Sequence, residues 1–208
     1  MPLYQIIKHD TATKILIWEI TETLEELQNK IVLTNENVTR VSEMKSTIHK
    51  CAFLSVRKLL AIENYTDFDL LYDEFGKPHL IDKNHISISH SHQFATIIIS
   101  KKPVGIDIEM QRNKIIDIAN KFTNDTENLF VNLLDIKSLT TIWGAKEAVF
   151  KIVNQKGISF KNHLFIDKFS FNNGQTNLLL KTEKETHNFL IFFKEIENFV
   201  LVYAFQNQ

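Results

Sequence analysis

The order of elements readable in the sequence predicts an α+β protein built from two halves. Three observations lead there. Strand-like and helix-like segments come in blocks (strands, helices, strands, helices, strands) rather than in strict alternation. Gly and Pro are scarce, 5 and 3 among 208 residues, about a third of average usage, which excludes collagen-like, linker-like and Pro-rich disordered chains. Hydrophobic residues make up 44% and charged residues 24%, with 16 Phe, so the material for a packed core is present.

Residues 3–8 and 14–20 are rich in β-branched and aromatic types and read as strands joined by a turn at Asp10-Thr11-Ala12-Thr13. A short helix is expected over 23–31, where Thr23 and Glu26 have capping-box spacing. Val38, Val41, Met44, Ile48, Ala52, Leu59 and Leu60 recur at three-and-four spacing and predict one long helix over 37–62, which also carries Arg40, Lys45, His49, Lys50, Arg57 and Lys58. Phe75-Gly76-Lys77-Pro78 is a turn; 86–89, 94–100 and 104–109 read as strands. Helices are expected over 114–122, 125–134 and 138–154, and strands over 168–172, 176–181, 188–194 and 199–205, with a hairpin turn at Asn173-Gly174. The halves divide near Lys101-Lys102-Pro103, as 1–102 and 103–208. No linker composition separates them, so they are expected to pack as one compact unit.

Net charge is -1, which leaves no long-range field for nucleic acid or membrane; any polyanion must meet a local basic cluster. The single cysteine, Cys51, cannot form an internal disulfide and fits a reducing compartment as a small core residue. Met1-Pro2-Leu3-Tyr4 opens no signal-peptide pattern, and apolar runs such as Thr96-Ile97-Ile98-Ile99 are too short to span a bilayer. A cytoplasmic protein is expected.

Three clusters carry chemistry. In Gly105-Ile106-Asp107-Ile108-Glu109, strand alternation puts Asp107 and Glu109 on one face, with Ile106 and Ile108 buried on the other. Two such carboxylates repel unless a proton or cation joins them, and hard oxygen donors suit Mg²⁺ or Mn²⁺; an edge strand with a solvated acidic face is the plainer alternative. In Trp143-Gly144-Ala145-Lys146-Glu147-Ala148-Val149-Phe150-Lys151, helical spacing aligns Trp143, Glu147 and Lys151, so Glu147 is a third candidate carboxylate and Lys151 a candidate phosphate partner. Ser87-Ile88-Ser89-His90-Ser91-His92, preceded by Gly76-Lys77-Pro78, collects phosphate-binding side chains. His90-x-His92 lacks a further ligand set for zinc.

Gly76-Lys77-Pro78, Ile88-Ser89-His90-Ser91, Gly105-Ile106-Asp107-Ile108-Glu109 and Trp143-x-x-Lys146-Glu147-Ala148-x-x-Lys151 resemble, in order and spacing, the motifs of the Sfp-type 4'-phosphopantetheinyl transferases. The segment from Phe122 to Glu127 is similar to that family's Phe-Ser-x-x-Glu segment, and the resemblance covers about residues 40 to 165. It implies two similar α+β halves packed as a pseudo-dimer. It also implies Mg²⁺-dependent transfer of the 4'-phosphopantetheine arm of coenzyme A to a serine of an acyl or peptidyl carrier protein, releasing adenosine 3',5'-bisphosphate. Under it, Asp107, Glu109 and Glu147 are metal ligands, Lys151 stabilises the leaving phosphate, and Glu127 is a base for the serine hydroxyl. Lys77, Ser89 and His90 are coenzyme A contacts, and Lys45, Lys50 and Arg57 meet its 3'-phosphate and adenine side. Arg57 has a competing reading as a structural ion pair.

Two departures stand out: His49-Lys50 occupies a place where relatives commonly show an acidic residue followed by arginine, and Gly144 falls inside a helix, where glycine costs about 1 kcal/mol. The length suits a monomer that builds its site between its own halves. Two other functions compete: a Mg²⁺-dependent nucleotide phosphohydrolase, and a non-catalytic module that binds coenzyme A or a carrier protein.

Overall fold

The computed structural model describes residues 2–29 and 31–207. The chain forms two compact units, residues 1–102 and 103–208, and both are α+β.

In the first unit, β1 (Leu3–Lys8) and β2 (Thr13–Glu19) form a hairpin. Three helices follow: α1 (Leu24–Gln28), α2 (Asn35–Glu43) and α3 (Thr47–Ile62). A small hairpin of β3 (Leu70–Tyr72) and β4 (Pro78–Leu80) precedes a larger one of β5 (His85–Ser91) and β6 (Phe94–Ser100). The main sheet is antiparallel in the order β1-β2-β6-β5. Helix α3 lays Val56, Leu59 and Leu60 against Leu16, Trp18, Ile97 and Ile99 of the sheet. Its other apolar residues, Cys51, Phe53 and Leu54, join Leu27 and Val41 in a second cluster.

The long helix expected over 37–62 is two helices. Met44 turns extended (φ -63°, ψ 128°) and Ser46 caps α3 by accepting from the His49 amide. Apolar spacing runs unbroken through the join because both helices face cores, so the cap alone marks the break. The Thr23–Glu26 capping box forms, but α1 ends at Gln28; Lys30, within the expected helix, lies outside the described residues.

The second unit starts with β7 (Val104–Met110), then α4 (Lys114–Phe122), α5 (Asp125–Asn128), α6 (Ile136–Val153) and α7 (Phe160–His163). Strands β8 (Leu164–Ile166), β9 (Gln175–Lys181), β10 (Thr186–Ile196) and β11 (Phe199–Gln206) complete an antiparallel sheet in the order β7-β11-β10-β9-β8. Helix α6 lies on this sheet, with Leu139, Ile142, Ala145, Ala148 and Val149 packed against Val200, Val202 and Ala204 of β11.

Two expectations fail in this unit. The helix over 125–134 stops at Asn128; beyond it the chain buries Val131 and packs Phe130 and Leu133 on the core, while Leu129 and Leu134 are 87% and 72% exposed. The strand over 168–172 lies instead at Leu164–Ile166, and Gly174 ends a short 3-10 turn within the long connection of the β8–β9 hairpin. Scarce glycine has a backbone consequence. Asn64, Lys83, His92, Asn154 and Glu197 all adopt positive φ, taking left-handed positions that glycine would ordinarily fill. Among the described residues no helix is long and apolar enough to cross a membrane.

Candidate active site

The second unit gathers the acidic motif through an unusually close strand–helix contact. Odd positions of β7 pair with the β11 residues that face α6: Gly105 with Ala204, Asp107 with Val202 and Glu109 with Val200. The acidic face is therefore the helix-covered one, and Asp107 is buried, not solvated as on an edge strand with one wet face. Two glycines permit this approach. A Cβ on Gly105 would fall 1.8 Å from the Ala148 carbonyl oxygen, and one on Gly144 would fall 2.8 Å from Val202 and 3.6 Å from Asp107 Oδ2. Glycine in mid-helix is thus a packing requirement that outweighs its propensity cost.

Helix α6 is held at both ends. Asp135 caps its start by accepting from the Ser138 amide, and Asn154, left-handed, closes it by donating its amide to the Phe150 carbonyl. From that helix Lys151 reaches β7, where its Nζ donates to Asp107 Oδ1 (2.8 Å) and to the Ile106 carbonyl (2.7 Å). Burial pushes the Glu147 carboxyl up to about 7, and the negative charges of Asp107 and Glu109 add to the rise while Lys151 opposes it. The three carboxylates expected as metal ligands therefore feel one another. They do not stand as a preformed cage: among the described residues, no three His, Cys, Asp or Glu side chains converge closely enough to hold a metal ion. The chemistry of the donor set still fits a hard divalent cation, since three crowded carboxylates carry more negative charge than one lysine balances.

Glu127 and Lys146 form a different structure from the one the sequence suggests. Both side chains are fully buried and bonded at 2.8 Å. Lys146 Nζ also donates to the carbonyls of Phe122 (2.6 Å) and Phe160 (2.9 Å), using all three protons. Glu127 closes the capping box of α5 by accepting from the Asn124 amide, and accepts from the Ile166 amide as well. A carboxylate with this set of partners and no exposure is placed for a structural role, which favours that reading over the expected general base. Lys146 was missed as a structural anchor because its neighbours Glu147 and Lys151 carry the legible charge pattern.

Trp143 packs edge-on against Phe122 (5.3 Å between ring centroids) and tilted against Phe160 (5.4 Å). It also lines a cavity of about 190 Å³ shared with Glu109, Arg112, Lys114 and Ile118.

In the first unit, Arg57 is buried in the ion-pair alternative. Its Nε donates to Asp67 Oδ1 (2.8 Å), another nitrogen donates to the Phe53 carbonyl, and the guanidinium stacks over the Phe53 ring at 3.4 Å. Asn37 and the Thr34 amide also donate to Asp67. Arg57 is buried, which favours the ion-pair alternative over the expected contact with a 3'-phosphate. The other basic candidates lie nearer the surface. Lys45 is exposed in the loop between α2 and α3, and Lys50 is half-buried on α3. His90, exposed near the end of β5, has its ring 5.6 Å from that of His49 on α3, while Ser89 is buried beside it. Lys77 is half-buried just ahead of β4, and burial pulls its ammonium below the usual range, with Asp73 opposing.

The β7–α6 geometry lies wholly within residues 103–204, and that stretch matches the family model described as the 4'-phosphopantetheinyl transferase superfamily. Residues 103–204, just under half of the chain, are similar to that superfamily's domain. Its relatives agree. The 4'-phosphopantetheinyl transferase gsp of Aneurinibacillus migulanus is 31% identical over 139 residues, covering 64% of this chain and 57% of that protein. A 4'-phosphopantetheinyl transferase of Bacillus subtilis is 34% identical over 103 residues, covering 47% and 44%. The 4'-phosphopantetheinyl transferase Sfp of Bacillus subtilis strain 168 is 32% identical over 111 residues, covering 50% and 47%. The chain thus spans about half the length of these relatives. Within the matched residues lie Asp107, Glu109, Glu147 and Lys151, and so does the buried Lys146–Glu127 pair.

Proposed function

We propose that the protein transfers the 4'-phosphopantetheine arm of coenzyme A to a serine hydroxyl of an apo acyl or peptidyl carrier protein and releases adenosine 3',5'-bisphosphate. The observation that carries this reading is the charged group between β7 and α6: Asp107 bonded to Lys151, with Glu147 raised by burial and by its acidic neighbours. Phosphoryl transfer needs positioning and charge stabilisation more than covalent participation by the protein. A crowded carboxylate set beside one lysine suits a substrate that brings pyrophosphate charge together with a cation.

Asp107, Glu109 and Glu147 would hold Mg²⁺ or Mn²⁺, which when bound neutralises the pyrophosphate and polarises its oxygens. Lys151 supplies a donor and a positive charge for the leaving phosphate. Lys45, Lys50, Lys77, Ser89 and His90 supply donors for the phosphates of coenzyme A. With Glu127 buried in its ion pair and Glu147 proposed as a cation ligand, the serine proton passes to solvent as its hydroxyl oxygen attacks. The protein is proposed to act in the cytoplasm as a monomer.

The test is mass spectrometry of apo carrier proteins incubated with coenzyme A, Mg²⁺ and this protein. One phosphopantetheine gained on one serine supports the reading, and Asp107→Ala should abolish the gain while the protein stays folded by circular dichroism. Release of bisphosphate without any carrier would favour the phosphohydrolase. Tight coenzyme A binding with neither product would favour the binding module.

A further inference from the structure

Lys151 is bonded to the residue that the proposed reaction needs for something else. Its ammonium holds Asp107 Oδ1 at 2.8 Å and the Ile106 carbonyl at 2.7 Å. Two of its three protons are thereby committed to β7. An ammonium at that distance repels any second cation approaching the same carboxylate, and the repulsion is strong where water is largely excluded. Asp107 is such a place, at 6% side-chain exposure. Only one Lys151 proton is left for a phosphate while it keeps these bonds, and its charge stays on the carboxylate that the cation needs. A cation on Asp107 and full engagement of a phosphate by Lys151 become compatible if both groups change partners in one event.

The geometry allows that exchange. The Lys151 side chain is 27% exposed, against 6% for Asp107, so the ammonium lies on the more open side of the pair. Its four-carbon stem turns about several bonds without moving α6. We propose that Lys151 is a placeholder for the divalent cation on Asp107: it neutralises the carboxylate in the substrate-free protein and passes to the substrate's pyrophosphate when the cation binds, so that cation and coenzyme A enter cooperatively. The inference rests on the transferase reading above and adds an order to it. Cation alone binds weakly, coenzyme A alone binds weakly, and each raises the other's affinity by the same factor, because linkage is reciprocal.

The experiment titrates Mn²⁺ into the intact protein by electron paramagnetic resonance, with and without coenzyme A, and needs no turnover. In the wild type, coenzyme A should tighten Mn²⁺ binding at least about tenfold. Lys151→Met should tighten Mn²⁺ binding without coenzyme A about fivefold or more and shrink the coupling, with Lys151→Gln as a second, polar variant. Lys114→Met removes an exposed charge from the cavity beside Glu109 and should leave Mn²⁺ affinity within about twofold. Wild-type Mn²⁺ affinity indifferent to coenzyme A overturns the placeholder, and so does a rise of equal size in the Lys114 variant. Lys151 variants that bind Mn²⁺ no tighter than the wild type overturn it too, provided Asp107→Asn abolishes binding. If Asp107→Asn binds Mn²⁺ as the wild type does, the metal assignment of the transferase reading falls, and the placeholder falls with it.

Discussion

Gly105 on β7 lies directly under the Ala148 carbonyl of α6, so close that a Cβ there would sit 1.8 Å from the oxygen. The contact is between two backbones and leaves no side chain to move aside. Gly105→Ala is expected to drive α6 off β7 and to cost about 3 kcal/mol in urea unfolding. Gly144→Ala meets only the Val202 side chain at 2.8 Å and gains helix propensity, so its cost should stay near 1 kcal/mol. Equal costs for the two variants would mean that the close approach is not what selects glycine at 105.

The Lys146–Glu127 pair predicts a pattern of single and double variants. Lys146→Met leaves a buried carboxylate without its counter-charge and should cost roughly 3–5 kcal/mol. Lys146→Met with Glu127→Gln removes both charges and keeps one acceptor oxygen for the Asn124 or Ile166 amide, so it should recover part of the loss. The folded fraction of Glu127→Gln should retain its transfer rate per folded molecule, since the carboxylate touches no substrate. A large fall in kcat with unchanged stability would restore Glu127 as a base.

Glu147 predicts a pH dependence. Its folded pKa is raised from 4.5 to about 7, so the folded state holds a proton that the unfolded state releases. That contribution to stability is complete below about pH 4.5 and is lost as pH rises through about 7. A cation competing with that proton should bind better as the proton leaves. Added Mg²⁺ is therefore expected to raise Tm more at about pH 8 than at about pH 6, and a chelator should reverse the gain. The Glu147→Gln variant should lose this dependence.

Asp67 predicts the opposite sign at the acid end. Burial alone pushes its carboxyl up, but the Thr34 amide, Asn37 and Arg57 outweigh that and leave it below the usual range. Its contribution is present above about pH 4 and is lost as pH falls through the lowered folded value. Urea midpoints measured down the acid limb should fall more steeply for the wild type than for Asp67→Asn. The variant is already destabilised at neutral pH, with Arg57 left as an unpaired buried charge.

Much of this molecule is legible from local pattern. Alternation in Val104 to Glu109 identifies the β7 strand and the shared face of Asp107 and Glu109. Apolar spacing identifies α6, and its four-residue interval puts Glu147 and Lys151 on one side. The order of four short motifs points to the superfamily that residues 103–204 match. Patterns of this kind survive because they depend on neighbours two to four positions apart.

What local pattern could not decide was which charges are buried together. Neighbouring residues alone carry the α+β class, the acidic strand, the helix that serves it and the family resemblance. It takes the packing of distant elements to pair Glu127 with Lys146, Arg57 with Asp67 and Lys151 with Asp107. Glu127 and Lys146 lie 19 positions apart and Asp107 and Lys151 44 apart, beyond any helical or strand repeat. Their roles are set by burial: a charge removed from water must find a partner, and which partner it finds depends on which elements the core brings together.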